Sequence, residues 1–394
     1  MAKETKRVSL KGLDIAAIVQ TLNAKYGDGT VIRASRAAGA KISYISSGCY
    51  GYDFATGGGI PRNRITEIRG PYSAGKSTLA QATIAQFQQA DPNGLAAFID
   101  LEKTFDPSYS SAMGVDLDNL LLINPDSGEQ AVDLINDLLD VSQDLLMVLD
   151  SLAAMTPTAL QDSSADQQFM GLQARLVNRA FSVFNSRMKR GLYDAKAPTT
   201  TMLVLNQLRE KIGVMFGNPE TTPGGKGKDF YYSMRARVSS PASERIKEVV
   251  TNNGQKRTIV KGFVTNVTID KNKCGGGQFN EATYEYYVKA HKHYKKFSFN
   301  NDEVLFAMAL YYGIIDPVKT GHKVTGHKIN LPFKKKNANN MLPANEKKAI
   351  VELSTRPVLM HRMYLAVLDA IHAEGSSASA KSAPDDDATE EGEE

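Results

Sequence analysis

The sequence predicts an α/β fold: a doubly wound, mainly parallel β-sheet with an N-terminal helix before it and a small C-terminal α/β domain after it. Three observations predict this class. Short apolar runs alternate with helical stretches from residue 47 to residue 290, as is typical of a parallel sheet with helices on both faces. A glycine-rich turn follows one of these runs and precedes a helix. The chain shows no internal repeat, which argues against solenoids and propellers.

The first predicted element is an amphipathic helix. Apolar residues recur at helical spacing from Ile15 to Leu22, and Gly27 is a suitable end. Because a Gly-Asp-Gly run starts at Gly27, this helix is set apart from the rest of the chain. We predict that residues 1–36 form an N-terminal oligomerisation segment, whose apolar stripe packs on its own core or on another subunit.

Four apolar runs are the candidate strands of the sheet. They cover residues 65–68, 95–99, 145–149 and 202–205. Each run is short and nearly continuous in apolar residues, as expected for strands buried on both faces. They lie within residues 37–290, which we predict to form the core domain.

A change in composition near residue 297 marks a second, smaller domain. A predicted helix over residues 303–312 is followed by a Lys- and Asn-rich stretch and by a last helix over residues 357–372. We assign residues 291–374 to this domain. Residues 375–394 are mostly Ser, Ala, Asp and Glu, and are predicted to form a disordered acidic tail.

The charge of the chain is unevenly distributed. Its 47 Lys and Arg and 43 Asp and Glu residues give a net charge of +4, but residues 375–394 hold one Lys and seven acidic residues. Without them, 46 basic and 36 acidic residues remain, which gives a net charge of +10. A basic body with an acidic tail suits a protein that binds a polyanion. The alternative is a tail that only aids solubility.

The sequence also indicates the compartment. No apolar run is long enough to span a bilayer, and the N-terminus has no apolar region typical of a secretory signal. The two cysteines, Cys49 and Cys274, make neither a disulfide framework nor a zinc site. We therefore expect a cytoplasmic protein without a membrane partner.

The glycine-rich turn fits the phosphate-loop pattern G-x-x-x-x-G-K-[ST]. Its residues are Gly70, Pro71, Tyr72, Ser73, Ala74, Gly75, Lys76 and Ser77, followed by Thr78. Glycines let backbone N–H groups turn toward phosphates, and the next helix begins with a dipole that favours negative charge. Lys76 is predicted to bridge the β- and γ-phosphates of ATP, and Ser77 to ligate Mg²⁺. The alternative is a chance match on a glycine turn.

Carboxylates follow two of the predicted strands. The run at residues 145–149 ends in Asp150, which is a Walker-B pattern and predicts a second Mg²⁺ ligand. The run at residues 95–99 leads into Asp100 and Glu102. Either carboxylate can orient a water molecule for attack on the γ-phosphate. Chemistry alone does not choose between them, and a solvated turn is the alternative for both.

Four stretches resemble the bacterial RecA family, and they occur in the family's order. They cover residues 97–102, 124–130, 149–154 and 211–222. The last of these, KIGVMFGNPETT, is similar to the second DNA-binding loop of that family. The resemblance spans most of residues 15–290 and implies a RecA-like P-loop ATPase core. The family consists of ATP-dependent recombinases that form helical filaments on single-stranded DNA.

The resemblance implies several catalytic roles. Glu102 resembles the glutamate that positions water, which favours it over Asp100. Gln207 resembles the glutamine that senses the γ-phosphate, and an amide there can hydrogen-bond a phosphate oxygen and strain the adjoining loop when that phosphate leaves. Lys271 and Lys273 resemble a pair of cations that reach the ATP of a neighbouring subunit, in the manner of an arginine finger.

Two further roles carried over from the family concern adenine and the subunit interface. Asp106 and Tyr109 resemble the adenine contacts, since Tyr can stack on a purine and Asp can accept from its amino group. Phe230 resembles the aromatic side chain that inserts into the next subunit. The alternative for Phe230 is an ordinary core aromatic.

The resemblance also implies two DNA-binding loops, at about residues 161–170 and 208–225. It makes Met170 and Ile212 candidate wedges between groups of bases and Arg175 a contact to the DNA backbone. The alternative for Met170 and Ile212 is a core position. Base readout is not expected, because a recombinase must leave the Watson–Crick edges free for pairing.

Residue chemistry in the second loop suits phosphate binding. Arg209 and Lys211 supply positive charge, and the backbone N–H groups of Gly224 and Gly225 can bind phosphate as well. The loop is rich in glycine, so it cannot form a stable core element but can order on a ligand.

Some features depart from the family or stay outside its pattern. Tyr72 stands where the family usually has Glu, and the segment over residues 189–200 is longer than usual. Two basic stretches, over residues 289–296 and 334–336, are either solvated faces or surfaces that capture incoming duplex DNA.

These observations predict an ATP- and Mg²⁺-dependent DNA recombinase that forms filaments on single-stranded DNA and exchanges strands with double-stranded DNA. Single-strand-binding and loader proteins are expected partners. Two alternatives remain: a ring-forming helicase motor on the same core, and a non-hydrolysing, ATP-dependent DNA filament scaffold, which Tyr72 leaves open.

Overall fold

The computed structural model describes residues 9–37, 42–161, 170–188, 198–210, 220–252, 255–275, 279–331 and 340–381. Its α-helices are α1 Ile15–Tyr26, α2 Ala34–Ala37, α3 Tyr50–Thr56, α4 Lys76–Ala90, α5 Pro107–Ala112, α6 Gly128–Leu138, α7 Thr158–Gln161, α8 Met170–Met188, α9 Asn301–Tyr311, α10 Glu346–Ser354 and α11 Pro357–Lys381. Its strands are β1 Tyr44–Ile45, β2 Ile60–Pro61, β3 Ile65–Gly70, β4 Leu95–Asp100, β5 Leu120–Ile123, β6 Leu145–Asp150, β7 Thr200–Gln207, β8 Arg209–Glu210, β9 Glu220–Thr221, β10 Met234–Ser239, β11 Arg245–Asn252, β12 Gln255–Asn272, β13 Glu281–Tyr287, β14 Ser298–Phe299, β15 Ile315–Thr320, β16 Lys323–Ile329 and β17 Met341–Leu342.

A large mixed sheet forms the centre of the molecule. Its strand order is β14-β13-β12-β10-β3-β7-β6-β4-β5, and β11 pairs with β12 outside this path. The six strands from β10 to β5 are parallel to one another, whereas β12, β13 and β14 extend the sheet in antiparallel fashion. The prediction of an α/β fold with a mainly parallel sheet is confirmed.

Helices cover both faces of this sheet. Successive residues of β6 alternate between two apolar cores: Val148 packs in the same core as Phe87 of α4, and Met147 packs in the core that contains Phe181 of α8. Helix α6 adds Val132 to the second core. The doubly wound arrangement therefore follows from strands that are apolar on both sides.

The four predicted strands end at one edge of the sheet. Asp100 pairs in register with Asp150, and Gly70 pairs with Gln207. Parallel strands bring their carboxyl ends to the same edge, so the polar residues that follow each apolar run are brought together. The observed strands β3, β4, β6 and β7 are slightly longer than predicted, because the polar residues at their ends also join the ladder.

Helix α1 is stabilised by hydrogen bonds that cap its two ends. The Asp14 side chain accepts a hydrogen bond from the backbone N–H of Ala17 at 2.8 Å, which satisfies one free donor of the first turn. Gly27 ends the helix, as predicted. None of the side chains of α1 is buried within this chain. Its role in contacting another subunit stays a prediction.

The C-terminal region has its own apolar core, formed by α9, α10, α11 and the sheet β15-β16-β17. It packs on the central domain: Phe54 of α3 belongs to this C-terminal core, and the Tyr364 hydroxyl donates to the buried carboxylate of Asp53 at 2.9 Å. Burial raises the pKa of Asp53, whereas hydrogen bonds from Ser46, Ser47 and Tyr364 oppose this increase. The boundaries predicted for the domains remain predictions.

One prediction about the tail is corrected. Helix α11 continues to Lys381, so residues 375–381 are helical and not disordered, and the helix extends beyond the predicted end at residue 372. Once the packed part of a helix has formed, each added residue costs little, and Ala and Ser are compatible with that extension. Residues 382–394 lie outside the described residues.

Candidate functional site

The phosphate loop connects β3 to α4. At Gly70, a Cβ atom would lie 2.2 Å from the backbone oxygen of Val238, so the neighbouring strand leaves no room for a side chain. Gly75 has a φ of +87° and sits directly before α4, a conformation that glycine adopts without strain. The Lys76 ammonium group donates to the carbonyl oxygens of Gly70 and Pro71, at 3.0 and 2.8 Å. Its charge is thereby held inside the loop, and burial lowers the pKa of Lys76.

A hydroxyl and a carboxylate meet at the base of this loop. Ser77 Oγ donates to Asp150 Oδ2 at 2.8 Å. Burial raises the pKa of Asp150 to about 6, helped by the nearby charges of Glu102 and Asp100 and opposed by the hydrogen bond from Ser77. A bound cation would favour the charged carboxylate. Both groups are oxygen donors of the kind that Mg²⁺ prefers.

No group of three or more His, Cys, Asp or Glu side chains in the described part of the chain is arranged to hold a metal ion. The contact between Ser77 and Asp150 supplies two oxygens, which fit an ion whose coordination is completed by water and substrate phosphates, as is usual for Mg²⁺ in nucleotide sites.

Glu102 and Gln207 are in direct contact. Gln207 Nε2 donates to Glu102 Oε1 at 2.7 Å, and the Ser151 hydroxyl donates to the same oxygen. Asp100 has a different environment, because it is 2% exposed and its Oδ2 accepts from the backbone N–H of Phe105 at 2.9 Å. Asp100 thus holds the turn after β4, and the geometry favours Glu102 as the water-positioning group.

A cavity of about 250 Å³ continues from the phosphate loop. Its lining residues beyond the loop are Tyr109, Ser240, Phe263, Thr265, Tyr284, Tyr286 and Val288. The Tyr109 hydroxyl lies 2.8 Å from both Thr78 Oγ1 and the Tyr286 hydroxyl. The exposed Asp106 caps α5 by accepting from the backbone N–H of Tyr109. The cavity has the aromatic walls and polar rim that suit a nucleobase.

Lys271, Lys273 and Phe230, the predicted interface residues, lie toward the edge of the sheet opposite the phosphate loop. Lys271 pairs with Arg235 near the start of β10, away from the phosphate loop. Its ammonium group donates to the carbonyl oxygen of Asp229 at 2.6 Å, and burial together with the charges of Lys273 and Arg235 lowers the pKa of Lys271. Phe230 is 82% exposed, so it is not a core aromatic of this chain.

A buried polar chain, absent from the sequence-based predictions, connects the two edges. Glu67 is fully buried and accepts from Asn206 Nδ2 at 2.8 Å and from Arg235 Nε at 2.7 Å. Asn206 Oδ1 in turn accepts from the backbone N–H of Gln207 at 3.0 Å, and Arg235 Nη1 lies 3.3 Å from Asp229 Oδ2. A sequence signal for it was Glu67, a charged residue within the apolar run at residues 65–68.

The base of the predicted second DNA loop is a short antiparallel ladder. Arg209 pairs with Thr221, which holds the two ends of the loop together. The buried Lys228 reinforces this base by donating to Thr222 Oγ1 and to the carbonyl oxygen of Gly225, at 2.9 and 2.8 Å. Lys228 was another residue that the sequence did not single out.

The structure describes some of the residues that are predicted to contact DNA. The side chains of Arg175 and Arg209 are exposed. Gly224 and Gly225 have positive φ values, of +92° and +75°. Lys211 and Ile212 lie outside the described residues, as does the side chain of Met170. The basic stretch over residues 334–336 also lies outside them.

This combination of a phosphate loop, a Walker-B carboxylate and a parallel sheet defines a P-loop nucleotide-binding protein. The family model described as RecA N-terminal domain matches residues 13–285. The chain is 42% identical to Protein RecA of Rubrobacter xylanophilus over 276 residues, which cover 70% of this chain and 74% of the relative. It is 38% identical to Protein RecA of Streptococcus agalactiae over 296 residues, which cover 72% of this chain and 73% of the relative. It is 40% identical to Protein RecA of Streptococcus sanguinis over 276 residues, which cover 70% of this chain and 68% of the relative.

The chain therefore belongs to the RecA family, a family of DNA recombination and repair proteins. The resemblance inferred from four short stretches is confirmed, and so is the functional class. Within the part of the chain that the structure describes, no helix is long and apolar enough to cross a membrane.

Proposed function

We propose that this protein is an ATP-dependent recombinase that forms filaments on single-stranded DNA and exchanges strands with a homologous duplex. The contact between Glu102 and Gln207 is the observation that carries the proposal. It joins the carboxylate that would activate water to the amide that leads directly into the second DNA loop. ATP hydrolysis and the grip on DNA would then depend on one pair of side chains.

Each part of the nucleotide site has a distinct task in this proposal. The loop backbone and Lys76 bind the phosphates, while Tyr109 and the cavity behind it accept the base. Ser77 and Asp150 would hold Mg²⁺, which supplies neutralising charge at the phosphates when it is bound. Glu102 accepts a proton from the attacking water.

The far edge of the sheet supports action as a filament. Lys271 and Lys273 are too far from their own phosphate loop to serve it, and Lys271 contacts Asp229, the residue before the exposed Phe230. In a filament, Phe230 would insert into the adjacent subunit and the two lysines would approach its ATP. Hydrolysis would then require assembly.

The partners follow from the same proposal. Single-stranded DNA would occupy the loops near Arg175 and Arg209, and duplex DNA would be the second substrate. Single-strand-binding and loader proteins would assist assembly. The protein would act in a bacterial cytoplasm, its own or that of a host.

A joint-molecule assay tests the proposal. The protein is mixed with ATP, Mg²⁺, a single strand and a supercoiled duplex, and joints are counted with homologous and with unrelated strands. We expect joints only with homology. DNA-stimulated phosphate release without joints would instead support the helicase motor. The absence of stimulated release would support the scaffold. The specific observation for the scaffold is Tyr72, which is 76% exposed at the phosphate loop.

Replacing Phe230 by Ala is expected to weaken filament assembly. Truncating an aromatic that is a hot spot of an interface costs about 2 kcal/mol or more, so the protein concentration needed for ATP-dependent assembly should rise by about 30-fold. Light scattering or electron microscopy over a concentration series measures this change. Val358→Ala is the matched control, since Val358 is 75% exposed on the C-terminal domain. Equal behaviour of the two variants would contradict the interface role.

A further inference from the structure

A lysine side chain is buried where the predicted second DNA loop ends. Lys228 is 1% exposed and lies in a 3₁₀ turn over Gly227–Phe230. Its ammonium group donates to Thr222 Oγ1 at 2.9 Å, to the carbonyl oxygen of Gly225 at 2.8 Å and to Asp229 Oδ1 at 3.2 Å. An ammonium group has three donors, so each donor of Lys228 has a partner.

The burial of this charge requires an explanation. Removing an ammonium group from water is costly, and an apolar side chain of similar volume would fill the same space without that cost. The ammonium group adds direction, because its hydrogen bonds fix Thr222, Gly225 and Asp229 relative to one another. The contacts of Lys228 therefore indicate a role in positioning these residues.

The residues that Lys228 joins lie between the DNA loop and the predicted subunit interface. Thr222 follows β9, which closes the base of the predicted second loop. Asp229 precedes the exposed Phe230, and its carbonyl oxygen accepts from Lys271 at 2.6 Å. We call residues 222–230 the connector. The ammonium group of Lys228 bonds to both ends of the connector.

The connector also packs against α8, which begins where the predicted first DNA loop ends. A Cβ atom on Gly225 would lie 2.9 Å from Ala174 Cβ, and one on Gly227 would lie 2.5 Å from Asn178 Oδ1. Only glycine allows so close an approach at these two positions. The connector is thus in contact with the elements that follow both predicted DNA loops.

The predicted second loop has two ends, and each leads to a different site. At the first end, Gln207 contacts Glu102 within the nucleotide site. The second end continues through the connector to Phe230. Gly224 and Gly225 have positive φ values and would form a hinge in this path. The hydrogen bonds of Lys228 span that hinge, so a movement of the loop would be passed on and not absorbed.

We propose that Lys228 is a positioning residue that transmits the ordering of the second loop on single-stranded DNA to Phe230 and Lys271 at the subunit interface. This inference rests on the proposed recombinase function and explains how DNA would stimulate hydrolysis in the adjacent subunit. Lys228 would touch neither DNA nor nucleotide, because its ammonium group is buried and its donors are used within the connector.

The test removes the ammonium group and keeps most of the side chain. Lys228→Met is compared with Lys226→Met, a control that loses the same charge two residues away from an exposed side chain. Phosphate release from ATP is measured without DNA and with saturating single-stranded DNA, and the ratio of the two rates is compared. Partial unfolding lowers both rates in proportion, so the ratio reports transmission and not stability.

A second pair of variants keeps the test decisive if Lys228→Met does not fold. Thr222→Val removes the hydroxyl group that accepts from Lys228 but preserves the size of the side chain, whereas Thr222→Ser keeps a hydroxyl group. Thermal melting verifies that these variants fold. We expect Thr222→Val to lower the ratio and Thr222→Ser to stay close to the unmodified protein.

We expect Lys228→Met to lower the ratio by at least about fivefold, which is the lower end of the coupling usually found between two sites. Lys226→Met should leave the ratio close to that of the unmodified protein. An unchanged ratio in Lys228→Met would overturn the inference, as would an equal loss in Lys226→Met or equal ratios in the two Thr222 variants. If the unmodified protein shows no stimulation by DNA, the proposed function itself fails.

Discussion

Replacing Glu102 by Gln is expected to abolish most ATP turnover while ATP and single-stranded DNA still bind. Gln has the shape of Glu but cannot accept a proton from water. General base catalysis of this kind contributes about 10²- to 10⁴-fold, so phosphate release should fall by that factor. The Gln207 amide and the Ser151 hydroxyl both donate to Glu102 Oε1, and the amide oxygen of Gln can still accept from them. The architecture of the site should therefore survive the change.

Phosphate release, equilibrium nucleotide binding and single-strand binding measure the three parts of this expectation. Asp100→Asn is the matched control, because Asp100 ends the strand that Glu102 follows and Asn keeps an oxygen for the backbone N–H of Phe105. The control should change turnover by less than about tenfold. If Asp100→Asn lost turnover and Glu102→Gln kept it, the assignment of the water-positioning group would be reversed.

The arrangement of the candidate nucleotide site could largely be predicted because its signals are local. The phosphate loop lies within eight consecutive residues, and the carboxylates stand directly after apolar runs. Parallel strands then bring these ends together without any further information. The choice between Asp100 and Glu102 required the resemblance, since both have the same chemistry and nearly the same place in the sequence.

The walls of the base cavity were not predictable in this way. Phe263, Tyr284 and Tyr286 come from antiparallel strands far along the chain, and only the pairing of β12 with β13 brings them opposite Tyr109. Aromatic residues in strands usually indicate a core. Nothing in their spacing distinguishes a residue that lines a ligand cavity from one that fills the interior.

The basic stretch over residues 289–296 illustrates a related limit. Its sequence was equally compatible with a solvated face. The structure adds the contact of Glu248 with His291 and the edge of the sheet at which this stretch follows β13. Both facts depend on strand register, which a single sequence does not specify.

Replacing Arg235 by Met is expected to destabilise the protein by about 3–5 kcal/mol, because it leaves the buried charge of Glu67 without its ionic partner. Glu67 is fully buried, and the Arg235 side chain is 13% exposed. Attraction to Glu67 raises the pKa of Arg235 against the effect of burial. Removing one member of a buried pair costs far more than the pair itself contributes, so the single variant should be the least stable one.

Urea unfolding of the variants checks this expectation. Arg237→Met is the matched control on the same strand: Arg237 pairs with Glu220, but the two side chains are 34% and 20% exposed, so its loss should cost less than about 1 kcal/mol. The double variant Glu67→Met, Arg235→Met should be more stable than Arg235→Met alone, since no buried charge remains. Equal destabilisation by Arg235→Met and Arg237→Met would contradict this account of the pair.

The position of the pair explains why a buried charge is tolerated at all. An apolar pair of similar volume would often be as stable, but it would provide no hydrogen bond to Asn206, whose own side chain accepts from the backbone N–H of Gln207. Arg235 also reaches Asp229, the residue before the exposed Phe230. The double variant therefore separates two roles of Glu67 and Arg235. If the double variant regains stability but not ATP-dependent assembly, the pair serves to position Gln207 and Asp229. If the double variant regains both stability and assembly, the pair has a purely structural role.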